Sequence, residues 1–131
     1  MTTKFELKDR SSLIIVTVKF TANERAAFFK LALDTGCSQT TLRPGVMLAL
    51  GFKTSDALRK VSVTTGTRTE SAYEYELAEM ATLGWKVKTV RLIAKELPLS
   101  LPFDGLLGLD FFRMVKKKLT VDFEKRELKL E

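Results

Sequence analysis

Leu31-Ala32-Leu33-Asp34-Thr35-Gly36-Cys37-Ser38-Gln39-Thr40 is the stretch of this chain on which its reading turns. An apolar run leads straight into an aspartate, then Thr-Gly, then small polar residues. Taken alone, Asp-Thr-Gly is a common tripeptide, and a strand ending in a turn whose aspartate bonds its own loop accounts for it. The context asks for more. A carboxylate at the end of a buried strand loses hydration in its charged form and is expensive unless something uses it. Thr35 adds a hydroxyl that can fix a loop, and Gly36 lets another backbone approach closely. Far along the chain, the segment Asp104 to Phe112 places Leu106 and Leu107 before Gly108, which suits a strand packed tightly under a second loop.

Working outward, the pattern is mostly of period two. Leu13 to Phe20 is a β-branched run with both faces largely apolar, as in a central strand. Asn23-Glu24 supplies a turn, and Ala27 to Leu33 returns. Arg43-Pro44-Gly45 opens a short helix, Val46 to Leu50, closed by Gly51, with proline near the start and glycine past the end. Val61 to Thr64, a turn at Thr65-Gly66-Thr67, and Ser71 to Leu77 form a hairpin; Tyr73, Tyr75 and Leu77 alternate there with Glu70, Glu74 and Glu76. In Trp85 to Ala94 strict alternation sets Val87 and Thr89 against Val90 and Leu92. A last hairpin has Leu119, Val121 and Phe123 facing one way, a turn at Glu124-Lys125-Arg126, and Leu128 and Leu130 returning. Many short strands separated by turn signals predict a single all-β domain over residues 1–131, a barrel or sandwich with one or two short helices.

Composition narrows the chemistry. The chain has 131 residues, 22 basic and 16 acidic, for a net charge of +6, with one cysteine and no histidine. That excludes an internal disulfide, thiolate-rich zinc sites, histidine-ligated metals and every catalytic triad that needs imidazole. Proton transfer near neutral pH falls to carboxylates, lysines or tyrosines. Asp104 and Asp110 are too few for a dedicated cation cage, so neither metal nor cofactor is expected. The positive charge is scattered, and its one concentration, Lys116-Lys117-Lys118, reads as a solvated strand entrance; no nucleic-acid partner is expected. The N-terminal residues lack the apolar core of a secretory signal, and no apolar stretch is long enough to span a bilayer. The expectation is a cytoplasmic protein without a membrane partner.

The Asp34 and Gly108 segments together resemble the retropepsin-like aspartic proteases, single-domain relatives of pepsin. That family pairs an apolar-apolar-Asp-Thr-Gly-x-Ser/Thr loop with a later apolar-apolar-Gly strand followed by a short helix. Here the first is Ala32 to Ser38 and the second is Leu106-Leu107-Gly108. The continuation Gly108-Leu-Asp-Phe-Phe112 and the hairpin at Leu119 to Phe123 also look like bacterial members, and the resemblance runs in order from about Ala27 to Leu130.

The resemblance implies a closed β-barrel-like fold and peptide hydrolysis by two aspartates sharing one proton. Asp34 is then the catalytic residue. This chain holds one Asp-Thr-Gly and no second copy, so the implied site is completed by a homodimer with one Asp34 from each subunit. Thr35 is expected to reach the facing loop, with Gly36 permitting the approach. Ser38 either bonds the outer oxygen of Asp34 or serves as a turn serine bonded to backbone. Gly66 sits where the family has its flap over an extended peptide substrate, although an ordinary surface hairpin also favours glycine at its turn. Leu106, Leu107 and Gly108 pack under the active-site loop. Cys37 departs from the family's usual alanine; it reads as an inert small thiol or, at a dimer axis, as a site of oxidative inactivation. The alternative to the protease is a non-catalytic module of the same fold that dimerises or holds a peptide.

Overall fold

The computed structural model describes residues 2–7 and 13–131. Most of the chain is β-structure, because its β-branched and aromatic residues recur with period two between residues that tolerate turns. In order these elements are β1 (Thr2–Lys4), β2 (Glu6–Leu7), β3 (Ile14–Ala22), β4 (Arg25–Leu33), β5 (Thr41–Leu42), α1 (Pro44–Ala49), β6 (Arg59–Thr65) and β7 (Arg68–Thr82). They continue as β8 (Trp85–Ala94), β9 (Gly105–Leu107), α2 (Leu109–Val115), β10 (Leu119–Asp122) and β11 (Glu127–Leu130). A single 3-10 turn, Thr54–Asp56, links α1 to β6.

Six strands close a barrel in the order β3-β4-β9-β5-β8-β7, and β7 returns to pair with β3 through Lys19↔Ala81, Phe20↔Met80 and Thr21↔Glu79. Closure removes the open edges that a sheet of this length would otherwise present. The interior is filled by side chains such as Val18, Phe20, Leu31, Leu77, Leu92 and Phe111, all essentially inaccessible to solvent. A small separate sheet, β1-β11-β10, joins the two ends of the chain. The predicted all-β fold with two short helices is therefore the observed one.

Local detail follows from elementary preferences. Asn23 and Glu24 both take positive φ in the tight β3–β4 turn, the mirror-image geometry that matches strand twist. Pro44 starts α1, where its missing N–H costs nothing, and Gly51 at φ +84° lies just past its end. The observed helix thus begins two residues before the predicted start at Val46 and ends one residue before Leu50.

Two sequence readings need correction. The alternation read over Ser71 to Leu77 holds, with Tyr73, Tyr75 and Leu77 against the core, but it does not continue to Met80, and in β8 it fails outright. Leu77 and Met80 both pack into the core, as do Val87 and Val90, three residues apart in each strand. Period two cannot put both on one face, so the strands change face between them. Thr89, at φ +56° midway along β8, marks the change. Phe123 does not continue β10, which stops at Asp122; its exposed ring meets Phe5 edge-on at 6.4 Å. Helix α2 follows Gly108 directly, where the resemblance implied a short helix. The three lysines 116–118 are exposed as predicted, Lys116 caps α2 at φ +55°, and Lys117 lies 4.6 Å from the Trp85 ring centroid.

Candidate active site

Asp34 follows directly from β4. Its N–H donates to the Leu107 carbonyl at 3.0 Å, continuing the parallel β4–β9 pairing of Leu31, Ala32 and Leu33 with Gly105, Leu106 and Leu107. The chain then turns sharply: the Cys37 N–H donates to the Asp34 carbonyl at 3.1 Å, and the Gly36 N–H donates to Asp34 Oδ1 at 2.9 Å. A β-carbon at Gly36 would lie 3.2 Å from that same oxygen, so glycine keeps the carboxylate in place. Thr35 and Gly36 are exposed at the turn, and Ser38 is exposed beside them. Among the described residues Ser38 makes no bond to the Asp34 carboxylate. Cys37 is half-buried, and its thiol donates to the Gln39 carbonyl at 2.9 Å.

The loop is fixed from below by the second segment. Gly108 lies so close under it that a β-carbon there would sit 2.8 Å from the Cys37 carbonyl oxygen, 2.9 Å from Gln39 C and 3.0 Å from Thr40 N, all backbone atoms. Leu107 is fully buried and Leu106 half-buried. Asp110, weighed in the sequence only as a second carboxylate or cation ligand, clamps the loop instead. It accepts from the Thr40 N–H at 2.8 Å and from Thr40 Oγ1 at 2.7 Å. Thr40 Oγ1 in turn accepts from the Gly108 N–H at 3.2 Å, and the Leu109 N–H donates to the Cys37 carbonyl at 2.8 Å. Asp104 is also engaged with backbone, accepting from the Lys30 N–H at 2.9 Å. Both carboxylates are spent on structure.

Above the loop, β6 and β7 form a hairpin whose register closes at Thr65↔Arg68. Gly66 occupies its tip at φ +59° with open space around it. The turn thus needs glycine for its backbone and not for a close approach. Between this hairpin and the Asp34 loop lies a cleft of about 710 Å³, lined by Asp34, Gly36 and Ser38 on one side and by Val61, Val63 and Gly66 on the other. The structure therefore brings Asp34, Gly36, Ser38, Gly66 and Leu106 to one cleft, while Thr35, Leu107 and Gly108 lie outside its lining.

One residue of the cleft was not foreseen. Glu74 was read only as one of the glutamates that alternate with Tyr73, Tyr75 and Leu77, yet it is 5% exposed and lines the cleft. Arg59 Nε donates to its Oε1 at 3.1 Å, and Gln39 Nε2 approaches Oε2 at 3.4 Å. The Arg59 bond holds its carboxyl below the usual range; burial opposes this, and Gln39 and the nearby Arg91 reinforce it. Tyr75, by contrast, faces the core, and burial raises its phenol. No helix among the described residues is long and apolar enough to cross a membrane.

A closed barrel with an Asp-Thr-Gly loop at one strand end, a buttressing Gly-helix segment and a hairpin overhead is the retropepsin-like aspartic protease architecture. A family model described as aspartyl protease matches residues 16–111, and the chain belongs to that family. A retropepsin-like aspartic protease from Rickettsia conorii has a similar structure, with a TM-score of 0.72 and 19% identity, over 99% of this chain and 89% of that one. No curated protein sequence matches the chain.

Proposed function

We propose that this protein is an aspartic endopeptidase that works as a homodimer, each subunit supplying one Asp34. The observation that carries this reading is the cleft. Its two carboxylates are Asp34 and Glu74. Glu74 is committed to Arg59 and Gln39, which leaves Asp34 as the only one on the exposed loop. Asp104 and Asp110 are tied to backbone elsewhere. The second acid of a dyad must then come from another molecule, and the exposed Thr35-Gly36 turn beside Asp34 is the surface through which a two-fold copy would approach.

Two carboxylates at contact distance share one proton, because like charges there cannot both ionise comfortably. The ionised partner takes a proton from water as the water oxygen attacks the scissile carbonyl. The protonated partner gives its proton to the carbonyl oxygen. Collapse of the tetrahedral intermediate then breaks the C–N bond as the amine nitrogen receives a proton. The hairpin ending at Gly66 closes over an extended substrate and excludes water.

The test is to incubate wild type and Asp34→Asn with a peptide library between about pH 4 and 7, over a dilution series. Cleavage is expected from the wild type alone, falling faster than linearly on dilution as dimers separate. Equal turnover by both proteins overturns the assignment. Binding of peptides without turnover in either protein supports the non-catalytic module instead.

A further inference from the structure

The cleft holds an ion pair that the hydrolytic chemistry does not use. Glu74 is almost wholly buried in the cleft wall, whereas its partner Arg59 has 67% of its side chain exposed. The two stand directly opposite in the β6–β7 register, at the base of the hairpin and far from its tip. The Leu58 N–H donates to the Glu74 carbonyl at 2.7 Å, which fixes the start of β6 against β7.

As a stabilising device this pair is poorly placed. Withdrawing a carboxylate from water is expensive, and well-packed apolar residues usually serve a buried position as well or better. An ion pair to a mostly exposed arginine returns little. What the arrangement does achieve is to orient a guanidinium. Arg59 is held through Nε alone, and both Nη groups make no bond among the described residues. The two Glu74 oxygens are already engaged by Arg59 and Gln39. The cleft thus presents the free fork of an arginine and not the carboxylate behind it. Arg91, close enough to Glu74 to act on its charge, is paired with Glu76 at 3.5 Å and does not line the cleft, so among the described residues the free cation there is Arg59.

We infer that Arg59, oriented by Glu74 and Gln39, is a specificity site for an acidic side chain of the peptide substrate, which its two free Nη groups bind as a fork. A carboxylate matches that fork in a bidentate way, an amide satisfies half of it, and a lysine is repelled. Glu74 is a positioning residue here. The inference rests on the peptidase reading for its substrate class, but its recognition step can be measured without cleavage.

The experiment uses matched synthetic peptides carrying Glu, Gln or Lys at each position in turn. Wild type is assayed for cleavage, and Asp34→Asn, which keeps the cleft, is assayed for equilibrium binding. At one position Glu is expected to exceed Gln by about ten-fold in kcat/KM and in affinity, with Lys weakest. Arg59→Met should bring Glu and Gln within about two-fold of each other in both affinity and kcat/KM. Glu74→Gln should reduce the Glu preference mainly through KM, a split that a purely structural loss would not give. Cleavage with no acid preference at any position, or a preference unchanged in Arg59→Met, overturns the inference and leaves the peptidase reading standing. If the wild type cleaves nothing, the peptidase reading falls, and binding by Asp34→Asn decides the inference: selective binding of Glu peptides supports it, and unselective or absent binding overturns it.

Discussion

The loop that carries Asp34 and the hairpin that ends at Gly66 face each other across one cleft, yet they are held in different ways. The loop is pinned from several directions: to β9 through the Asp34 N–H, to α2 through Asp110 and Thr40, and from beneath by the backbone of Gly108. Its geometry is over-determined, as positioning a catalytic group to a fraction of an ångström requires. The outer part of the hairpin has its own strand pairing and one ion pair to the barrel wall, Lys95 Nζ to Glu70 Oε2 at 2.7 Å. At its tip, a β-carbon on Gly66 would meet nothing within 4 Å. Under the proposed function, the rigid wall carries the chemistry and the lightly held wall carries access and selection.

The contrast can be broken at several points. The largest effect should come from Asp34→Asn, which is expected to lower kcat/KM by about 10³-fold or more in a peptide-cleavage assay. Its thermal midpoint should barely move, because an asparagine oxygen can still accept the Gly36 N–H.

Gly108→Ala tests how rigid the lower wall is. Its new methyl would meet three backbone atoms at 2.8 to 3.0 Å, with no flexible side chain able to yield. A loss of about 2 kcal/mol is expected from overpacking, read as a lower midpoint in denaturant, together with lost cleavage as the Asp34 loop shifts. Wild-type activity in that variant would show the loop to be less constrained than its contacts indicate.

At the upper wall, Gly66→Ala should cost about 1 kcal/mol or less, from the left-handed backbone alone. The cost should appear as faster hydrogen exchange in β6 and in the part of β7 next to the turn, and as a raised KM, with the other barrel strands unchanged. Gly66→Asn, which tolerates positive φ, should sit closer to wild type.

The smallest effect concerns pH. Glu74 and Glu70 both have carboxyls lowered from 4.5, by the bonds from Arg59 and Lys95 respectively. A lowered folded value means that their stabilisation is complete above pH 4.5 and is lost as pH falls through the folded values. The stability difference between wild type and Glu74→Gln, from urea melts, should therefore shrink as pH drops below that point. A difference that grew on acidification would reverse the assignment of the cause.

The Asp34 loop was legible because its chemistry is local: an aspartate, a hydroxyl and a glycine in consecutive positions announce a turn with a task. Gly108 was legible as a close-packing point, since two leucines precede it. Asp110 was visible as a carboxylate but not as a clamp, because its partner Thr40 lies seventy residues away in the chain. Glu74 misled outright. Alternation with Tyr73 and Tyr75 placed it on a polar face, and that face turned out to be the wall of a cleft. The face change near Thr89 was equally hidden, because a β-branched residue at positive φ runs against its own preference and is tolerated only where the surrounding strands impose it.

The sequence by itself determined the period-two core, the turns at Asn23-Glu24 and Gly66, the short helix after Pro44 and the aspartate on which the proposed chemistry turns. Each depends on residues within a few positions of one another, whose backbone preferences and spacing are local facts. Only the tertiary structure decided which carboxylates were left free for chemistry and which were consumed in holding the fold. That choice depends on long-range packing, which sets Asp110 against Thr40 and Gln39 against Glu74, because a charge's role follows from what desolvates and pairs it and not from its neighbours in the chain.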